Sequence, residues 1–195
     1  MKVLDLTGKN ALVTGATGEL GRAICRGLAE CGANVAVCYH SQKEVAERLC
    51  RELEENYGVQ AFPAQADVSD PESVQRMKEE VGRGLGTVDI LVNNAVAFHK
   101  WQTVLDQDIA AYESQFRSSV LQAVLMAKAF VPDMIQKKTG AHHCHQHRVL
   151  HVDAAETVCI CCGQAGNGWR IQGAGQGSGH ARYHCQRGSS GLDAQ

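Results

Sequence analysis

The feature that most constrains this chain is a cluster of three glycines where a predicted strand meets a predicted helix. The apolar run at residues 10–14 ends at Gly15, and Gly18 and Gly21 follow as apolar residues begin to recur at helical spacing. Glycine permits a sharp turn and a close backbone approach, and a helix N-terminus offers unpaired N–H donors. The pattern therefore predicts a phosphate-binding turn of the dinucleotide type. A tight turn without a ligand is the alternative, but three glycines cost chain entropy that connectivity alone does not require.

Strands and helices continue to alternate after this turn. Further strands are predicted at residues 34–39, 60–66 and 88–93, and helices at residues 43–57, from Asp70-Pro71 onward, and at 109–135. Alternation of this kind indicates βαβ units and therefore a parallel sheet that is covered on both faces. We predict an α/β fold with a doubly wound parallel sheet of the Rossmann type, truncated after the fourth strand and the helices that follow it.

Composition narrows the classes of partner. The formal net charge is -2, and the Lys/Arg clusters are short, so we expect no binding to nucleic acid. No run approaches the ~18 apolar residues of a membrane span, and the N-terminus lacks the apolar stretch of an export signal. We therefore expect a cytoplasmic protein without a membrane segment.

Three motifs carry a resemblance to a known family. They are the sequence Thr14 to Gly21, the pair Asp67-Val68, and the triplet Asn93-Asn94-Ala95. With these motifs the chain resembles the short-chain dehydrogenase/reductase family over residues 5–138, and most closely its 3-oxoacyl-acyl-carrier-protein reductase-like members. Two positions depart from the family pattern, because Glu19 stands at the middle glycine of the turn and Val96 replaces the glycine after Ala95.

The resemblance implies a set of cofactor-binding residues. It assigns Gly15, Gly18, Leu20 and Gly21 to the phosphates, Asp67 and Val68 to the adenine, and Asn93 and Ala95 to the adenosine ribose. Other interpretations of two motifs stay open at this stage. Asp67 is also suited to capping a helix, and Asn93-Asn94 to forming a turn.

The end of the second strand bears on the choice of cofactor. NAD-dependent enzymes of this type place an acid there to accept hydrogen bonds from the ribose 2′-hydroxyl. This chain has Tyr39, His40 and Ser41 instead, with Lys43 beyond. No carboxylate there would repel a 2′-phosphate, and three of these side chains are able to donate to one. The sequence therefore favours NADP(H) over NAD(H).

The catalytic residues of the family are not found at their expected places. The family performs NADP(H)- or NAD(H)-dependent hydride transfer to or from a carbonyl or alcohol on a small molecule, and its members form homo-oligomers. Its helix Asn corresponds to Ser119, and beyond the second predicted strand no Tyr is followed four residues later by Lys; Tyr183 has Arg187 there. Without the general acid/base we expect this chain to be inactive. A non-catalytic NADP-binding or partner-binding protein is the alternative.

The composition changes sharply near Gly140. Five of the nine cysteines and seven of the nine histidines lie beyond that residue. We therefore divide the chain into a dinucleotide-binding domain at residues 1–139 and an irregular tail at residues 140–195. A metal-binding module is one hypothesis for the tail, but Cys159-Ile160-Cys161-Cys162 has no clean second ligand pair at zinc-site spacing. We expect no metal site.

A shifted reading frame accounts for the tail better. Codons for Ala141 to His147, read from their second base, permit Arg-Ile-Ile-Ala-Ile-Asn, which resembles the family's next strand. Codons for Val158 to Gln164, read in the same way, permit Ser-Ala-Tyr-Val-Ala-Ala-Lys and so restore Tyr-x-x-x-Lys. The residues from Tyr183 to Gly191 likewise permit a strand that ends in Pro-Gly. We interpret the tail as an out-of-frame translation.

Overall fold

The computed structural model describes residues 5–97 and 102–137, and the backbone of 141–144, 171–172 and 184–185. The strands are β1 (Asn10–Val13), β2 (Asn34–Tyr39), β3 (Ala61–Gln65), β4 (Ile90–Asn93), β5 (Ala141–Cys144), β6 (Ile171–Gln172) and β7 (His184–Cys185). The helices are α1 (Glu19–Glu30), α2 (Lys43–Tyr57), α3 (Pro71–Gly84), α4 (Ile109–Phe116) and α5 (Gln122–Lys137), and a π-helical turn (Arg117–Leu121) joins α4 to α5.

The main sheet is parallel and doubly wound, which confirms the predicted fold class. Its strand order is β3-β2-β1-β4-β5. In register, Val13 of β1 lies beside Val37 of β2 on one side and beside Val92 of β4 on the other. The chain order reverses between β1 and β4, and ligands of such sheets bind at this switch point, outside the carboxyl ends of the strands.

The sheet is one strand longer than the four strands expected from the sequence. Backbone pairing of β5 with β4 runs from Ile90 beside Ala141 to Asn93 beside Cys144. The β5 sequence Ala-His-His-Cys lacks the β-branched and aliphatic residues that mark a buried strand, so its pattern gave no strand signal. The main-chain groups on the outer edge of β4 are able to pair with any backbone, because a ladder does not depend on side-chain type.

Alternate residues of the strands fill two apolar layers. Leu12 and Leu91 point to the layer formed with α3 and α5, which contains Met77, Met126 and Phe130. The opposite layer, formed with α1 and α2, contains the neighbouring strand residues Val13 and Val92 together with Val35, Leu49 and Leu53. Both faces of the sheet are therefore covered, as the sequence predicted, and the strand ends are left as the place for a site.

The helical stretch Ile109–Lys137 combines α4, the π-turn and α5. It has 29 residues and contains an 18-residue window with a mean hydropathy of 1.3, so by length and composition alone it is able to cross a membrane. A count of consecutive apolar residues does not show this, because residues such as Lys128 interrupt the run. The inward residues Met126, Phe130 and Met134 belong to the core layer beside α3. Core helices of soluble proteins meet the same criterion, but only 28% of this window is buried, so the packing accounts for part of the apolar character of the stretch.

Candidate cofactor site

A cavity of about 510 Å³ lies at the switch point of the sheet. Six of the predicted site residues line it, namely Gly15, Tyr39, His40, Asp67, Val68 and Ala95. The helical stretch closes the cavity from the other side with Glu113, Arg117 and Ser118, among others. The structure therefore brings together residues from the glycine turn, the ends of β2 and β3, and the exit of β4.

Two glycines of the turn are required by the fold itself. Gly15 has a positive φ of 61°, and a Cβ atom there would lie 2.8 Å from the Cα of Ala95. A Cβ atom at Gly21 would meet the carbonyl oxygen of Gly15 and would lie 2.7 Å from the Cα of Ala16. Real Cβ atoms do not approach backbone so closely. Gly15 thus allows the turn to contact the β4 exit, and Gly21 allows α1 to pack on the turn.

Gly18 is different, because the fold places little demand on it. Its φ of -70° is open to any residue, and a Cβ atom there would meet only the carbonyl oxygen of Gly15, at an ordinary 3.4 Å. Gly18 is the N-cap residue of α1, where the free N–H groups and the positive end of the helix dipole lie. The space next to Gly18 at the N-terminus of α1 is therefore not filled by protein atoms, and a ligand is able to occupy it.

Leu20 and Glu19 follow on the first turn of α1. Leu20 is 46 % exposed, which is high for a leucine in an ordered helix. Glu19 is also exposed and places a carboxylate on the first turn. An acid in that position stabilises a helix but repels an anion that binds to the same N-terminus.

A clamp of polar atoms joins the turn to β4. The Thr14 hydroxyl accepts hydrogen bonds from the backbone N–H groups of Asn94 and Ala95, at 2.9 and 3.0 Å. The Asn94 side chain donates from Nδ2 to the carbonyls of Thr14 and Gly15, at 3.0 and 3.1 Å. Asn94 belongs to the Asn93-Asn94-Ala95 motif, but the sequence assigned it no cofactor-binding role. The structure makes it the residue that ties the glycine turn to the strand exit.

Asp67 and Asp70, which follow β3, accept hydrogen bonds from different groups. Asp67 Oδ1 accepts hydrogen bonds from the Oγ and the backbone N–H of Ser69, at 2.6 and 2.9 Å. These two bonds hold the pKa of the Asp67 carboxyl below its usual range. Asp70, not Asp67, caps α3, since its carboxylate accepts from the N–H groups of Glu72 and Ser73. The alternative interpretation of Asp67 as the helix-capping acid is therefore wrong.

The end of β2 presents one buried and two exposed residues. Tyr39 is only 6 % exposed and belongs to the layer formed with α1 and α2. His40 and Ser41 are exposed, and the backbone carbonyl of His40 accepts from the side chain of Gln65 at 3.1 Å. Lys43 lies 3.7 Å from Glu47 on α2. All three predicted 2′-phosphate donors, His40, Ser41 and Lys43, are thus exposed, and Lys43 also pairs with Glu47.

The π-turn forms the helical side of the site. The Ser118 hydroxyl accepts from the backbone N–H of Ala97 at 3.0 Å, and Gln122 donates to the carbonyl of Ala95 at 2.8 Å. Ser119, at the position of the family's helix Asn, is half-buried in the same turn. Neither Ser118 nor Gln122 was singled out from the sequence. A glutamine among the apolar residues of α5 was the one available signal.

The buried cysteines in and near the cavity are not reactive thiols. Cys38 lines it, but burial raises the pKa of this thiol to about 12, so the reactive thiolate is not populated near neutral pH. Burial also raises the pKa of Cys25 and of Cys50 to about 12.

Within residues 5–97 and 102–137, no group of three or more His, Cys, Asp or Glu is arranged to hold a metal ion. Tyr183 and Arg187 lie outside the described residues.

A family profile and several known proteins match most of this chain. The sequence profile described as short chain dehydrogenase matches residues 9–141. An NADP-dependent mannitol dehydrogenase of Aureobasidium melanogenum is 35% identical over 143 residues, which are 72% of this chain and 53% of that protein. A 3-oxoacyl-[acyl-carrier-protein] reductase of Staphylococcus aureus is 36% identical over 143 residues, covering 68% of this chain and 53% of that protein. The chain spans about half the length of the curated relatives it matches.

Solved structures agree with the sequence relatives. L-sorbose reductase from Gluconobacter frateurii, complexed with NADPH and L-sorbose, superposes with a TM-score of 0.68 at 30% identity, over 74% of this chain and 54% of that one. An alcohol dehydrogenase from Thermococcus sibiricus, complexed with 5-hydroxy-NADP, gives a TM-score of 0.65 at 28% identity, over 70% of this chain and 57% of that one. The resemblance inferred from the glycine turn is confirmed: the chain belongs to the short-chain dehydrogenase/reductase family.

Proposed function

We propose that this chain binds NADP(H) as the dinucleotide-binding portion of an oxidoreductase that transfers hydride to or from a small carbonyl or alcohol. The observation that carries the proposal is the glycine turn beside the cavity. The fold requires Gly15 and Gly21, whereas Gly18 leaves free space at the helix N-terminus. A pyrophosphate fits there, because backbone N–H groups and the dipole favour an anion and no Cβ atom obstructs it.

The remaining cavity residues fit an adenosine moiety. Asp67 and Val68 line the end where the adenine is expected, and Ala95 lines the cavity beside the turn, where the adenosine ribose is expected. Arg117 reaches the same cavity from the π-turn. A guanidinium there partly balances the carboxylates of Asp67 and Glu113, which would otherwise oppose a ligand of several negative charges.

The 2′-phosphate is the basis for preferring NADP(H) to NAD(H). His40 and Ser41 are exposed at the end of β2, and neither repels an anion. The relatives support this choice, since the mannitol dehydrogenase is NADP-dependent and the L-sorbose reductase was solved with NADPH. NADP(H) carries the hydride when bound, and the residues of this chain orient it from the phosphate and adenine ends.

We further propose that this chain binds cofactor without turnover. The single Tyr-x-x-x-Lys in its sequence runs from Tyr39 to Lys43 at the end of β2, and none follows Ser119, where the family has its catalytic pair. Loss of general acid/base catalysis alone removes about 10²–10⁴-fold in rate. The match to the family profile ends at residue 141, close to the point where the shifted frame begins. Sequencing the gene across codons 135–145 tests the frame hypothesis. A one-base deletion or two-base insertion near codons 138–141 should open a frame that encodes Tyr-x-x-x-Lys, and an early stop in that frame would contradict it.

Binding is tested with a matched pair of glycine variants. Titration of the purified full chain with NADPH, followed by equilibrium dialysis, should give saturable binding. Gly18→Ala should weaken it at least tenfold, because the added methyl meets ligand and not protein, and should lower the stability by no more than about 1 kcal/mol, the cost of alanine at an N-cap. Gly27→Ala is the control, since a Cβ atom at Gly27 on the same helix meets nothing within 4 Å. Equal affinity of the wild type and Gly18→Ala would mean that the turn is not the phosphate site.

Cofactor preference is tested at His40. His40→Asp places a carboxylate at the exposed end of β2 and should shift the preference from NADPH toward NADH, through repulsion of the 2′-phosphate. The same change at Tyr39 is less informative, because Tyr39 is buried and an acid there would also disturb the core layer. An unchanged ratio of the NADPH and NADH dissociation constants would place the 2′-phosphate elsewhere.

A further inference from the structure

Gln122 is a buried glutamine on the helical side of the cavity, and it takes no part in the phosphate and adenine contacts proposed above. Gln122 is 2 % exposed and is among the largest fully buried side chains in the described part of the chain. It is the first residue of α5 and follows the π-turn directly. Burying an amide is costly unless its donors and its acceptor are bonded. The contacts of this side chain therefore have to explain its presence.

Both ends of the Gln122 amide are hydrogen-bonded. Nε2 donates to the backbone carbonyl of Ser118 at 2.7 Å and to that of Ala95 at 2.8 Å. Oε1 accepts from the Thr14 hydroxyl at 3.2 Å. The two carbonyl neighbours decide which end carries the nitrogen, because an amide oxygen has no hydrogen to share with them.

These three bonds join three separate parts of the site. Thr14 precedes the glycine turn, Ala95 is at the exit of β4, and Ser118 is in the π-turn. Ala95 and Gly15 lie so close that a Cβ atom on Gly15 would be 2.8 Å from the Cα of Ala95. The three parts are thus in contact along one seam, and the Gln122 amide bonds to each of them.

The bond to Thr14 also orients the clamp described above. The Thr14 hydroxyl has one hydrogen, which Gln122 Oε1 accepts at 3.2 Å, with the carbonyl of Val92 as a more distant acceptor at 3.4 Å. When this hydrogen points to Gln122, the oxygen lone pairs are free to receive the N–H groups of Asn94 and Ala95. Gln122 therefore influences the β4 exit twice, directly at the Ala95 carbonyl and indirectly through Thr14.

We propose that Gln122 is a positioning residue, whose amide holds the glycine turn, the β4 exit and the π-turn at the separation that the cofactor cavity requires. It acts through Thr14 and Ala95 and does not itself contact the ligand. The proposal rests on the function proposed above for the meaning of the cavity, but the local ordering of the seam is independent of any ligand. A glutamine that merely filled the core would contribute to stability without affecting this seam selectively.

The test compares Gln122→Met with Gln136→Met in the full chain. Methionine has nearly the length of glutamine but no N–H donors, and Gln136 is exposed on the same helix. The first readout is backbone hydrogen exchange of the ligand-free protein. In Gln122→Met, the amides of residues 94–97 should exchange at least tenfold faster, while those of residues 35–38 in β2 keep the wild-type rate. Uniform acceleration of both segments, or none, would overturn the proposal.

The second readout is the dissociation constant for NADPH. It should rise at least tenfold in Gln122→Met and stay unchanged in Gln136→Met, and equal affinities in the two variants would contradict a positioning role. If the wild type does not bind NADPH, the proposed function fails, and the exchange comparison still decides the role of Gln122. If Gln122→Met does not fold, Gln122→Asn replaces it, because it keeps the amide but shortens its reach. Wild-type exchange at residues 94–97 in Gln122→Asn would then refute the proposal.

Discussion

The two sides of the cavity are held by opposite means. On the turn side, residues 14–21, close packing depends on the absence of side chains at Gly15 and Gly21. On the helix side, residues 117–122, it depends on the presence of polar side chains, Ser118 and Gln122. The turn side should therefore tolerate no added atom at Gly15 or Gly21, whereas the helix side should tolerate changes of shape better than the loss of a donor or acceptor. The Gln122→Met variant tests the helix side, and the four substitutions that follow test the turn side and the carboxylates next to the cavity.

The largest effect is expected at Gly21. Gly21→Ala forces a methyl group against the carbonyl of Gly15 and the backbone of Ala16, neither of which is a flexible side-chain end. We expect the free energy of unfolding to fall by about 3 kcal/mol, the upper part of the usual range for overpacking. Urea unfolding monitored by circular dichroism measures it. Gly27→Ala, in the same helix but facing open space, should be neutral or stabilising; equal losses in both variants would show that the effect is not steric.

The next effect concerns the clamp between the glycine turn and the exit of β4. Thr14→Val keeps the shape of the buried side chain but removes the oxygen that accepts the N–H groups of Asn94 and Ala95. An unsatisfied buried donor costs about 1–3 kcal/mol, so we expect a loss of about 2 kcal/mol in the same urea experiment. Thr14→Ser retains the hydroxyl and should recover most of this loss. A serine variant no better than valine would mean that the methyl group, and not the oxygen, matters.

A smaller effect is expected at Glu19, where a substitution should raise the affinity for NADPH. Glu19→Gln removes a carboxylate from the helix N-terminus and should tighten NADPH binding about threefold to tenfold, because the charge no longer repels the pyrophosphate. The helix itself should lose about 0.3–1 kcal/mol of stability, since an acid is favourable in the first turn. Glu30→Gln, at the far end of α1, is the control. The gain in affinity should shrink at high salt, and a gain that salt does not reduce would rule out an electrostatic cause.

The smallest effect is a pH dependence at Asp67. Hydrogen bonds from Ser69 lower the pKa of this carboxyl in the folded state. A lowered folded-state pKa stabilises the protein above the unfolded-state pKa, and this contribution is lost as the pH falls through the folded-state value. The wild type should therefore be more stable than Asp67→Asn at pH 7, and the difference should narrow below the usual range of an aspartate pKa. Unfolding midpoints of both proteins at neutral and acid pH measure it. A difference that is constant with pH would contradict this origin.

The turn side could be predicted from the sequence because its determinants are local. Gly15, Gly18 and Gly21 lie within seven residues of one another, and glycine spacing, strand pattern and helix start all point to the same βα turn. The alternation of strands and helices likewise determined the doubly wound sheet, since each amphipathic or buried segment is recognisable alone. The spacing also predicts separate roles for the glycines, with Gly15 permitting the turn, Gly18 leaving room for a pyrophosphate and Gly21 allowing close packing. What the sequence could not supply is the neighbour of Gly15, because Ala95 is 80 residues away and approaches the turn only in the folded chain.

The helix side was decided by tertiary structure. Thr14 and Gln122 are 108 residues apart in sequence, and Gln122 and Ala95 are 27 apart, so no local pattern relates them. The same is true of β5, whose pairing depends on the open backbone edge of β4 and not on its own side chains. Backbone pairing and buried amide bonds carry little sequence signature, because many residues can supply them. The sequence by itself determined the fold class and the place of the turn, and only the packing of distant segments decided which polar side chains hold the cavity together.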